Sequence, residues 1–102
     1  MNFKLLTQKI IKNAFDYSKK YDIEFTSEFC AIKLMEEVGE FTQSLLVHQR
    51  KCRKSKYIDP KISKQQLGYE LADIIGLVII NAKVHGIDIE KALDEKWIHH
   101  ET

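Results

Sequence analysis

The chain has 102 residues, a length typical of one globular domain, and 30% of them are charged. Its formal net charge of +1 predicts no strong attraction to nucleic acid or to a membrane surface. Its longest uncharged apolar run, Ile74–Ile80, is far shorter than the roughly 20 residues that a membrane span requires.

Cysteine usage indicates a reducing compartment. Cys30 and Cys52 are the only two cysteines, and the first residues, MNFKLLTQKIIKN, carry charge too often for a secretory signal. We therefore expect reduced thiols in a cytoplasmic protein that forms a single domain over residues 1–102.

Helical periodicity dominates the first half of the chain. One Pro, four Gly and no NG or DG pair leave little hairpin signal. Thr26, Ser27 and Glu28 predict a capped helix start, and that second helix continues to about Gln49. A first helix ending near Tyr21 is predicted by apolar residues at three- and four-residue spacing: Phe3, Leu6, Ile10, Ala14, Tyr17 and Tyr21.

A basic segment follows the second helix. Pro60 forbids a continuous helix here, so residues 50–64 are interpreted as a connector. It is either a solubilising surface loop or a set of bases that meets a polyphosphate. Its single acid is Asp59, and its seven bases are Arg50, Lys51, Arg53, Lys54, Lys56, Lys61 and Lys64.

The last two predicted helices complete an all-α fold of four helices. The third, from about Ser63 to His85, is apolar nearly all round and is therefore expected at the centre of the structure. Gly86 predicts its end, and the fourth helix begins at Asp88.

Acidic residues recur on the second and third helices. Glu36, Glu37 and Glu40 fall within an arc of about 100° on the second helix, and alone they fit a solvated face. Glu70 and Asp73 are neighbours on the third helix, where an apolar face continues beyond Asp73. Because a buried unpaired carboxylate costs several kcal/mol, Asp73 is expected either to pair with a base such as Lys33 or to bind a metal.

Acids three residues apart on two packed helices can bring four carboxylates to one point. Oxygen ligands without His or Cys suit Mg²⁺ or Mn²⁺ better than zinc. Mg²⁺ keeps waters and often takes substrate phosphates as further ligands.

Three segments of the chain carry a resemblance to a known family: KLMEEVGEF (residues 33–41), ELADII (residues 70–75) and HGIDIEKAL (residues 85–93). In this order they resemble the EExxE…ExxD signature of the MazG-like all-α NTP pyrophosphatases. The resemblance implies a four-helix bundle assembled as a dimer or dimer of dimers. It also implies hydrolysis of a nucleoside triphosphate, a dNTP or modified dNTP, to the monophosphate and pyrophosphate, as in nucleotide pool sanitation. A phosphoribosyl-ATP pyrophosphohydrolase-like enzyme and a non-catalytic helical interaction module are the alternatives.

The resemblance also assigns residues. Carried over by position, the Mg²⁺ ligands are Glu37, Glu40, Glu70 and Asp73, and Glu36 is the catalytic residue that positions or deprotonates water. Lys33 and Lys96 are expected near the phosphates, while Asn81 binds base or sugar or else makes a structural hydrogen bond. Relatives often continue with Asn and Arg where this chain reads WIHHET, so His99 and His100 either contact phosphate or form an inert tail.

Overall fold

The computed structural model describes residues 1–99, and all regular secondary structure in that range is helical, which confirms the predicted all-α class. No helix within those residues combines the length and apolar character of a membrane span. The elements are α1 (Phe3–Lys20), α2 (Ser27–His48), a 3₁₀ turn (Lys54–Lys56), α3 (Pro60–Val84), α4 (Ile89–Leu93) and a π-helical turn (Asp94–Ile98).

Side-chain caps set the starts of the four α-helices. Each cap oxygen accepts a hydrogen bond of 2.8–3.1 Å from a backbone N–H two or three residues later. Pro60, directly after its cap, is the first residue of α3, a position that needs no backbone N–H. The helix therefore starts three residues before the predicted Ser63. The cap residues are Asn2, Thr26, Asp59 and Asp88.

Gly86 ends α3 as predicted. Its φ is 67°, in the left-handed region that glycine adopts without strain. The N–H of Ile87 donates to the Ala82 carbonyl at 2.8 Å, and that of Gly86 donates to the Lys83 carbonyl at 3.1 Å. This pair of bonds closes the last turn and directs the chain into α4.

The chain divides into two compact units, of which the first comprises Met1–Ala31 and the chain from Val78 on. Asn81 Nδ2 in this unit donates to the Cys30 carbonyl at 3.0 Å, which joins the start of α2 to the end of α3. The most buried apolar side chains of the described residues all belong to this unit and are at most 7% exposed: Cys30, Ile79, Ile80 and Ala82.

The second unit, Ile32–Leu77, comprises most of α2, the connector and most of α3. The expectation that α3 is central is wrong for this part, because two helices and a loop offer too little surface to cover α3 on all sides. Eight large apolar side chains of the unit are 37–66% exposed: Ile32, Met35, Val38, Leu46, Ile62, Tyr69, Leu71 and Ile75.

A hydrogen-bonded pair ties the two ends of the connector. His48 Nδ1, at the end of α2, lies 2.6 Å from Ser63 Oγ in the first turn of α3. Ser63 is only 2% exposed, and its hydroxyl donates to the Pro60 carbonyl at 3.1 Å. The connector is therefore a closed loop.

Ile79→Ala should lower the free energy of unfolding by about 2–4 kcal/mol, because it removes a 2%-exposed side chain from the first unit and leaves a cavity. Ile87→Ala in the same unit is the matched control. It should cost under about 1 kcal/mol, because Ile87 is 53% exposed. Urea unfolding measures both, and equal losses would contradict this placement of the core.

Candidate metal centre

Two helices of the second unit bring four carboxylates together. Glu37 and Glu40 lie one turn apart on α2, and Glu70 and Asp73 lie one turn apart on α3. Both helices are regular at these positions, so each pair shares a helix face. One oxygen from each of the four lies within 4.8 Å of the others.

Burial within the acid cluster is uneven. Glu37 and Glu70 are half-buried, whereas Glu40 and Asp73 are exposed. The expectation of an apolar environment for Asp73 is therefore wrong, because the unit leaves that side of α3 uncovered. The buried acid of α3 is Glu70, one turn earlier.

The half-buried acids differ from the exposed ones in their sequence context, because each half-buried acid lies on an apolar stripe of its helix. In each helix the half-buried acid comes three residues after a leucine and four before another apolar residue, and all three positions are half-buried. The two stripes are Leu34, Glu37 and Phe41 in α2 and Leu67, Glu70 and Ile74 in α3.

The two half-buried acids also have orphaned oxygens. The Oε2 atoms of Glu37 and Glu70 are buried and have no hydrogen-bond partner. A buried polar atom of this kind carries a desolvation cost of about 1–3 kcal/mol, and more when it is charged. A cation between the two helices would satisfy both oxygens.

The electrostatics of the acid cluster favour protons or a cation. Desolvation, followed by a hydrogen bond to Glu40 and the negative charges of Glu40, Asp73 and Glu70, raises the pKa of Glu37 to about 7. Desolvation, with the charges of Glu40 and Asp73, also raises the pKa of Glu70. In the absence of a metal ion, the acid cluster therefore keeps a bound proton up to about neutral pH.

The donor set and its spacing fit a hard divalent cation. All four ligand atoms are carboxylate oxygens, which Mg²⁺ and Mn²⁺ prefer. Ligands on opposite sides of Mg²⁺ are about 4.2 Å apart, since each Mg–O bond is about 2.1 Å. Oxygens 4.8 Å apart would therefore have to move together by roughly half an ångström to ligate one Mg²⁺. A bound cation would permit this movement, because it relieves the repulsion between the carboxylates.

Glu36 lies outside this group of four. It is an exposed residue of α2, and its Oε1 accepts a hydrogen bond from Lys33 Nζ at 2.7 Å. Because the two side chains are 50% and 37% exposed, this ion pair contributes little to stability. In the structure the Glu36 carboxylate is turned toward Lys33, one turn earlier on α2.

The remaining predicted site residues belong to the first unit. Asn81 is half-buried, and the Cys30 carbonyl accepts from its amide, which is the structural role considered for it. Lys96 is exposed on the π-helical turn. His99 Nδ1 lies 2.9 Å from both carboxylate oxygens of Asp94, whereas His100 lies outside the described residues.

No protein-family model, curated protein or solved structure matches this chain. The chemistry assigned to the acid cluster therefore depends on its geometry and on the motif that its residues form.

The metal-free protein should lose stability as pH rises from about 4.5 to about 7. Glu37 has an unshifted pKa of 4.5 and a folded pKa of about 7, so between these values the folded state binds more protons than the unfolded state. In the Glu37→Gln variant the loss of stability with rising pH should be smaller, whereas the Glu36→Gln variant should lose stability as the parent does. Urea unfolding in a chelator across pH 4.5–7.5 measures the slope, and a parent protein that gains stability over that window would contradict the assignment.

Proposed function

We propose that the chain is a Mg²⁺-dependent nucleoside triphosphate pyrophosphohydrolase that converts a dNTP or modified dNTP to the monophosphate and pyrophosphate. The observation that supports it best is the convergence of four carboxylates with two buried, unpartnered oxygens. The choice of reaction depends on the resemblance to the EExxE…ExxD motif, whose five acidic positions are filled by the four clustered acids and Glu36.

The four acids would hold the cation, and Mn²⁺ would fit the same oxygens. Glu37 and Glu70 offer the buried oxygens, and Glu40 and Asp73 offer exposed ones. When bound, Mg²⁺ polarises phosphoryl oxygens and lowers the pKa of a coordinated water. The exposed side of the acid cluster leaves room for the phosphates to enter.

Other residues of the chain would orient water and balance charge. Glu36, which is paired with Lys33, would position or deprotonate the water that attacks the α phosphorus. The bond from that phosphorus to the bridging oxygen breaks, and the electron pair leaves with pyrophosphate. Lys33 would neutralise charge on this leaving group. The roles of Lys96 at the phosphates and of Asn81 at the base or sugar stay predictions from the sequence.

Self-association to a homodimer or homotetramer is part of the proposal. The second unit carries eight large apolar side chains that are at least 37% exposed, and no apolar side chain of residues 32–77 is as buried as the core of the first unit. Contiguous exposed apolar surface usually marks an interface. A second copy would cover it by a symmetric contact and would give the site-bearing helices a core.

Asp73→Asn should reduce turnover at saturating Mg²⁺ by at least about a thousandfold, while the fold remains as stable as the parent or more so. Asn keeps the side-chain volume but removes a metal ligand and one of the four crowded charges. Mg²⁺ should raise the melting temperature of the parent and have much less effect on the variant, since only binding to the folded state stabilises it. Asp16→Asn, at an exposed site on α1, is the control and should behave like the parent.

Hydrolysis in water labelled with heavy oxygen locates the bond that breaks. We expect the label in the nucleoside monophosphate and unlabelled pyrophosphate as the second product, because attack at the α phosphorus transfers the water oxygen there. Mass spectrometry of both products makes the distinction. A nucleoside diphosphate with labelled orthophosphate would overturn the assigned reaction but leave the metal site standing.

Sedimentation should show a dimer or tetramer at micromolar concentration. Ile75→Glu, which adds a charge at a 55%-exposed position of α3, should shift the protein toward monomer. Leu5→Glu, at a 41%-exposed position of α1 in the first unit, is the matched control and should leave the assembly intact. A parent protein that sediments as a folded 12.0 kDa monomer would refute self-association.

A further inference from the structure

The connector concentrates positive charge that the overall composition hides. Between Arg50 and Lys64 seven bases face one acid, Asp59, although the whole chain has a formal net charge of only +1. All seven basic residues are exposed. The expectation of no nucleic-acid partner came from the overall charge. That value averages the basic connector with the acids elsewhere in the chain, so it hides the local excess of positive charge.

These bases are not neutralised by neighbouring acids. The salt bridges found within residues 1–99 involve none of the connector's lysines or arginines. Asp59 uses Oδ1 to accept the backbone N–H of Lys61 at 2.8 Å. Arg50 is partnered instead by an aromatic ring, with its guanidinium carbon 5.0 Å from the centre of the Tyr57 ring.

The acid cluster is too far along the helices to compensate this charge. At 1.5 Å per residue, Glu40 lies about 12 Å before the end of α2 at His48, and Glu70 lies about 15 Å after the start of α3 at Pro60. Both distances exceed the Debye length of about 8 Å at physiological ionic strength. The second unit thus has an acidic region and a separate basic end.

The backbone of the connector is fixed by internal hydrogen bonds. Arg50 has a φ of 56°, a left-handed conformation that costs a non-glycine residue about 1 kcal/mol. It allows the N–H of Lys51 to donate to the Leu46 carbonyl at 2.8 Å, and the Tyr57 hydroxyl donates to the Arg50 carbonyl at 3.3 Å. Together with the 3₁₀ turn and the His48–Ser63 bond, these contacts hold the loop in one shape, which lowers the entropy cost of binding.

We propose that the connector is a nucleic-acid-binding site that contacts the phosphodiester backbone. Seven exposed bases outnumber the phosphates of one nucleotide and suit a repeating anion. A protein interface would call for several exposed aromatic or aliphatic anchors, whereas Tyr57 and Ile58 are half-buried and Ile62, at 50% exposure, is the one exposed large apolar side chain of residues 50–64. A single exposed isoleucine is too small an apolar wedge to favour a membrane surface.

The test measures binding of a fluorescein-labelled 20-nucleotide single-stranded DNA, and of an RNA of the same sequence, by anisotropy in chelator at 25–200 mM salt. We expect dissociation constants of roughly 1–100 µM and a steep salt dependence, since each neutralised phosphate adds about 0.7 to the slope of log K against log salt. The triple variant Arg53→Gln, Lys54→Gln and Lys56→Gln should bind at least about tenfold more weakly at 25 mM salt and lose about 2 from that slope.

The control is a variant with three lysines of α1 replaced, Lys4→Gln, Lys9→Gln and Lys19→Gln, which loses the same charge and should keep most of the affinity and slope. Absence of binding at 25 mM salt, or equal losses in both triple variants, would overturn the proposal. So would displacement of the oligonucleotide by an equimolar amount of tripolyphosphate, because the connector would then be a site for the phosphates of a small molecule. None of these readouts requires hydrolysis, so the result is independent of the proposed enzymatic activity.

Discussion

Repulsion among four carboxylates is the constraint on which the second unit depends. Oxygens of Glu37, Glu40, Glu70 and Asp73 lie within 4.8 Å of one another, where two full charges repel by at least about 3 kcal/mol at an effective dielectric constant of 20. The metal-free protein relieves this by retaining a proton: desolvation of Glu37, together with the neighbouring carboxylates, raises its pKa to about 7. A divalent cation relieves it more completely and would turn a source of instability into a link between α2 and α3.

Stability and chemistry are assigned to different parts of the chain. The first unit contains the buried apolar side chains, such as Ile79 at 2% exposure, and the Asn81–Cys30 hydrogen bond. The second unit contains the acid cluster and the basic connector, with no comparably buried apolar side chain among residues 32–77. Proteins often place strained or repelling groups where function needs them and offset the cost elsewhere. In the proposed assembly, a second copy would supply this offset by covering the exposed apolar side chains of the second unit.

Sequence periodicity predicted the helices well because their signals are local. Thr26 marks the start of α2 with its side-chain hydroxyl, and Gly86 marks the end of α3 with its left-handed backbone conformation. Exposure was harder to predict, because it depends on what packs against a helix. Asp73 follows the apolar pattern of α3 yet is exposed, and Glu70 is the acid that loses solvent. The shape of the connector was also beyond prediction, since a left-handed Arg50 and a 2.6 Å bond between His48 and Ser63 arise from tertiary closure rather than from local propensity.

The His48–Ser63 contact has a consequence for the imidazole itself. The Ser63 hydroxyl has one proton and donates it to the Pro60 carbonyl, so toward His48 it can only accept. While the Ser63 hydroxyl donates to the Pro60 carbonyl, neutral His48 carries its proton on Nδ1, which leaves the lone pair on Nε2. This is the less common tautomer of free histidine, and here a serine 15 residues away selects it. The ring then presents a hydrogen-bond acceptor, and a nitrogen able to ligate a metal, beside a loop that carries seven cationic side chains.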